Sequence, residues 1–164
     1  MSPVVGKYEW LLFFHVTGAF LFLGGVVIAW VLGIAAALRE LPSEIAVLLR
    51  LAGVAAAAIS VGLLLSLVFG IWLVVDLDFY KITDGWILAG LVMWILAGAL
   101  GGMGGRRDKE TRLFAEQAAS EGDVPSAELR ARVRDPVALS LNIVSSLLGL
   151  AILVVMIWKP GAPG

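Results

Sequence analysis

Charge is excluded from most of this chain. Four runs hold no charged residue: Trp10–Leu38 (29 residues), Leu51–Val75 (25), Gly85–Gly105 (21) and Pro136–Trp158 (23). Each exceeds the roughly 20 residues that carry a helix across about 30 Å of hydrocarbon at 1.5 Å per residue. Apolar residues fill the runs in blocks instead of recurring on one face, so the bilayer is the solvent they match. Lipid satisfies no backbone polar group, and a helix bonds its own. The pattern predicts an all-α fold: an integral membrane four-helix bundle with spans at about 8–38, 45–75, 85–104 and 136–158. A helical connector over 106–135 joins the last two.

The connector has its own signals. RRDKETRLFAEQAASEG reads as a short helix, with Asp108 as its cap and Gly122 as its stop. Pro125 and Ser126 can open a second one. Leu113, Phe114 and Ala118 would give the first a modest apolar face, for the membrane surface or a partner. The expectation is nevertheless a solvated connector. Asp135-Pro136 is a good start for the last span, with Asp as cap and Pro in the first turn.

Basic residues set the orientation. Arg39, Arg50, Arg106, Arg107, Lys109, Arg112, Arg130, Arg132 and Arg134 flank or lie in the first and third loops, nine against Lys7, Lys81 and Lys159 on the other side. Nine against three places those loops in the cytoplasm and both termini outside it. The outer side then carries Glu9, Asp76, Asp78 and Asp84. Tyr8, Trp10, Tyr80, Trp86 and Trp158 fall at outer span ends, where amphipathic rings sit at the headgroups. Trp30 and Trp94 fall mid-span. The segment before Trp10 lacks a basic cluster, and its apolar run is about twice the length of a signal core, so the first span is not read as a cleaved leader.

Polar groups inside the spans are the candidates for chemistry. On a straight 100° projection, Gly18, Ala29 and Gly33 share the face of His15, the only histidine. Small residues mark close helix packing, so His15 is placed on a seam toward other helices. Three readings of it stay open: a neutral imidazole bonded to a backbone carbonyl or serine on a neighbouring helix, a metal or haem ligand, and a proton relay. Met93 and Met156 also fall in the outer half, and thioether sulfur suits Cu(I) or a haem axial position. At the inner ends, Arg50 is expected to snorkel to the headgroups, with a bond to Asn142 as the alternative. Asn142, Ser145, Ser146 and Gly149 share a face of the last span and read as glue between helices.

Composition removes several classes. A net charge of −1 offers no basic face to nucleic acid. With no cysteine, disulfides, thiolate metal sites and cysteine nucleophiles are excluded. No phosphate-binding glycine loop is present, since Gly101-Gly102-Met103-Gly104-Gly105 ends a span. The expectation is a protein that is not an enzyme.

HVTGAFLFLGG, His15–Gly25, and the connector from Arg106 to Pro136 resemble a bacterial family of predicted integral membrane proteins of unknown function. More distantly, a His followed by a Phe-rich stretch and paired Gly is similar to copper-resistance D membrane proteins. That similarity implies copper or haem b handling through His15, with any second histidine supplied by a partner. The expected role is an accessory or assembly subunit in the bacterial cytoplasmic membrane. Its partners would be the lipid bilayer and either its own copies or other membrane subunits. Copper or haem handling is the alternative, and small-solute transport the third.

Overall fold

The computed structural model describes residues 6–76 and 80–161. Asp78 lies outside them. Among the described residues the chain forms α1 (Lys7–Ala37), α2 (Pro42–Asp76), α3 (Gly85–Ser120), α4 (Ala127–Val133) and α5 (Pro136–Trp158). Four helical stretches are long and apolar enough to cross a membrane. The chain is an all-α integral membrane protein with four spans.

The helices pack as two antiparallel hairpins, α1 with α2 and α3 with α5, joined mainly through α2 and α3. Three are longer than a bilayer requires. α1, α2 and α3 have 31, 35 and 36 residues, or about 46, 52 and 54 Å at 1.5 Å per residue. Most of the excess lies at one end, the connector end, where the charged part of α3 runs beside the start of α2.

Here the structure departs from the expected layout. The third span and the first connector helix are a single helix from Gly85 to Ser120. The onset of charge at Arg106 marks where the chain leaves hydrocarbon, not where the helix stops. From Arg106 to Ser120 the residues are mostly good helix formers, with neither Gly nor Pro among them. Asp108 is therefore an interior helical residue, turned onto Asn142 Nδ2 at 3.0 Å, and not a cap. The helix does end before Gly122, where φ values of +137° at Gly122 and +55° at Asp123 turn the chain back.

The connector is also not simply solvated. α1 and α2 carry Ala36, Ile45 and Ala46 at the connector ends of their helices, where apolar side chains gain from cover. Ala115 of α3 and Leu129 of α4 supply it, forming one buried cluster flanked by Leu48, Leu49, Phe114 and Val133. Polar bonds seal its edge. Asp123 accepts from the Ser43 backbone N–H at 2.8 Å and from its hydroxyl at 2.7 Å. Arg130 pairs with Glu40 at 3.3 Å, and Arg134 donates to the Ala37 carbonyl at 3.0 Å. Of the expected apolar face, Leu113 stays exposed while Phe114 and Ala118 are half-buried.

Arg50 has a partner that the sequence reading did not supply. α2 begins eight residues before it, so it already stands level with the projecting part of α3. Its guanidinium pairs with Glu116 at 2.9 Å. Asn142 bonds Asp108 instead.

Candidate functional site

The α1–α2 seam holds the intramembrane histidine. Its buried α1 residues are Leu11, Gly18, Phe22, Gly25 and Ala36. Leu11, Gly18 and Gly25 are spaced by sevens, and Phe22 and Ala36 continue the row of His15. That is the 3.5-residue repeat of left-handed helix pairs. Two glycines face each other across the seam. A Cβ on Gly18 would stand 2.8 Å from the Gly62 carbonyl oxygen, and one on Gly62 would stand 2.6 Å from the Gly18 carbonyl oxygen.

One turn toward the terminal end, His15 and Ser66 bond reciprocally. Nδ1 of His15 lies 2.8 Å from the Ser66 carbonyl oxygen, and the Ser66 hydroxyl donates to the His15 carbonyl at 3.2 Å. A carbonyl only accepts, so Nδ1 carries the proton, and in the neutral ring Nε2 keeps its lone pair. Gly70 makes room for the ring: a Cβ there would fall 2.9 Å from His15 Cε1. Gly62, Ser66 and Gly70 were not singled out in the sequence. Their signal is a double small-xxx-small repeat, GLLLSLVFG, the α2 half of a close-packed pair.

The other candidates sit on other seams. Met156 packs between α5 and α3, its Cε 3.0 Å from where a Cβ on Gly90 would be. Met93 is half-buried on α3. Ala29 and Gly33 are half-buried on α1, and a side chain at Gly33 would meet nothing within 4 Å. The structure thus brings His15 to α2 and Met156 to α3. Among the described residues no group of three His, Asp or Glu could hold a metal ion.

The polar face of α5 bonds α3 within its own hairpin and α1 of the other. Ser145 donates to the Ala97 carbonyl of α3 at 2.8 Å, and Asn142 donates to Asp108. The hydroxyl of Ser146 accepts from Trp30 Nε1 of α1 at 3.1 Å. A Cβ on Gly149 would run into the ring of Phe22. Trp94 donates to the Leu63 carbonyl of α2 at 3.2 Å, so both mid-span tryptophans bond within the protein. At the terminal end, Lys7 bonds Asp76, and Lys159 donates to the Tyr80 hydroxyl at 2.9 Å.

A model of the family described as "Predicted integral membrane protein (DUF2269)" matches residues 9–160. Comparison with curated proteins finds no match, and comparison with solved structures finds none.

Proposed function

We propose a role from the premise that the chain belongs to the DUF2269 family of predicted integral membrane proteins. It acts as a non-enzymatic accessory or assembly subunit, docking through its spans to another membrane protein. One observation carries this reading: an apolar groove on the α1–α2 hairpin, between Phe20, Leu21 and Ile28 of α1 and Leu51 and Val54 of α2. Its floor includes Gly24, where a side chain would meet nothing within 4 Å, and Phe20 at its rim is 73% exposed. A small-residue floor between large apolar walls fits a transmembrane helix. The nine basic residues at the connector end support a placement in a bacterial cytoplasmic membrane with both termini outside.

The test is isolation of the chain from its own membranes in mild detergent after crosslinking. A co-purifying membrane subunit is expected, lost on Gly24→Leu. A lone monomer from the wild type overturns the reading.

A second reading rests on the tautomer of His15. Metal-bound histidines commonly donate their other ring N–H to a carbonyl, which fixes the ring and turns the free nitrogen to the ligand. The His15–Ser66 bond has that form. The fit is partial, because Met156 is engaged on another seam, so a haem or Cu(I) bound here would take its remaining ligands from elsewhere. A Soret band or reduced-state copper in the wild type, absent in His15→Ala, supports it. A colourless, metal-free protein overturns it.

A further inference from the structure

We infer that the connector-side half of α3 is a binding site for an anionic phospholipid, with the headgroup phosphate held by Arg106, Lys109 and Arg112 and an acyl chain lying along Gly98, Gly102 and Gly105.

α3 carries two sets of small residues. Gly90, Gly101 and Gly104 lie against Met156, Ser145 and Asn142 of α5. Gly98, Gly102 and Gly105 lie against nothing, since a side chain at any of them would find no atom within 4 Å. Taking Gly98 as zero and 100° per residue, Gly102, Gly105, Lys109 and Arg112 fall within about 40°, and Arg106 at about 80°. The open strip therefore runs straight into the three cations. It does so at Gly105, the last uncharged residue, where the chain passes from hydrocarbon to headgroups.

These cations are unpaired, unlike four others at this end. Arg50, Arg107, Arg130 and Arg132 are ion-paired. Arg106, Lys109 and Arg112 have no ion pair or hydrogen bond among the described residues, and Arg112 Nε is buried without a partner. The guanidinium of Arg112 reaches toward α2, with Nη1 3.9 Å from where a Cβ on Gly53 would be. The neighbouring carboxylates are turned elsewhere or engaged: Asp108 takes Asn142, Glu116 takes Arg50, and Glu110 lines a groove with Arg107 on another face. An apolar strip ending in three unpaired cations matches an amphiphile with a negative head. A second copy fits poorly, because a two-fold contact along this strip would set the two cationic clusters against each other.

The test is native mass spectrometry of the full chain in detergent, with phosphatidylglycerol or phosphatidylcholine of identical acyl chains added at equal concentration. One phosphatidylglycerol is expected to be retained in preference, by roughly five-fold for each engaged cation. The triple variant R106Q/K109Q/R112Q should retain both lipids alike, while R130Q/R132Q keeps the wild-type preference. Gly102→Leu should lower retention of both lipids. Equal retention of the two lipids by the wild type, which needs no variant to fold, overturns the site. So does equal loss in R130Q/R132Q, which would mean bulk charge. A dimer that Gly98→Leu abolishes would assign the strip to a second copy instead.

Discussion

Gly18 and Gly62 let two backbones touch inside the membrane, where close packing and not hydrophobicity drives association. Each lacks a side chain at the point where the other helix's carbonyl arrives. Gly18→Ala or Gly62→Ala would press a methyl against backbone that cannot rotate away, and overpacking of that kind costs about 1–3 kcal/mol. Gly33→Ala meets open space and trades glycine's backbone freedom for a better helix former, a gain of about 0.5–1 kcal/mol. Thermal unfolding in detergent should therefore rank Gly18→Ala and Gly62→Ala below the wild type and Gly33→Ala at or above it. The same ranking would show which face of α1 is inside. His15 offers a finer probe. Its ring lies over Gly70 with the proton on Nδ1, so Gly70→Ala should displace it and break the bond to Ser66. Nitrogen-15 spectra of the wild type should show a protonated Nδ1 and a free Nε2. Gly70→Ala should lose that signature while the fold persists. An unchanged His15 signal in Gly70→Ala would mean that the ring does not pack there.

At the scale of the element, α3 and the cap it forms with α4 are where the chain was least legible. The four spans could be read from uncharged runs because lipid penalises charge directly. The start of α5 could be read because Asp135 and Pro136 act locally, and Asp135 indeed accepts from the Val137 N–H at 2.9 Å. Three features could not be read this way. Charge at Arg106 ends a span but leaves helical propensity intact, so the helix runs on to Ser120. The N-terminus of α2 takes its capping carboxylate from Asp123, 80 residues along the chain, which no local pattern encodes. Gly33 lies about five whole turns from His15 at 3.6 residues per turn, but about 50° away when the pair is wound at 3.5. The cap is testable as a unit. Leu129 is 1% exposed and fills its centre, so Leu129→Ala should cost about 2–5 kcal/mol. Asp123→Ala, which removes only the cap on α2, should cost about 1 kcal/mol. Both variants should make the connector cleavable by protease under conditions where the wild type resists. A connector cut equally fast in all three would mean that it is not folded onto the helix ends.

At the scale of the molecule, two hairpins share one polar end and one aromatic end. The terminal end carries Trp10, Phe13, Phe14, Phe69 and Trp72 in mutual ring contact, with Lys7 5.8 Å from the Trp72 ring centre. The connector end carries nine of the twelve basic residues. Four of those nine are neutralised by carboxylates in the folded protein. That pairing does not weaken the argument for orientation, because the bias acts while segments insert and acidic residues contribute little to it. The connector end should therefore face the cytoplasm. The absence of cysteine makes the test clean, since every introduced thiol is the only one. Lys81→Cys places it at the exposed terminal end and Glu121→Cys at the exposed turn after α3. In intact cells a membrane-impermeant maleimide should label Lys81→Cys at once and Glu121→Cys only after permeabilisation. The reverse pattern would put nine basic residues outside, and the phospholipid inferred on α3 would then have to come from the outer leaflet.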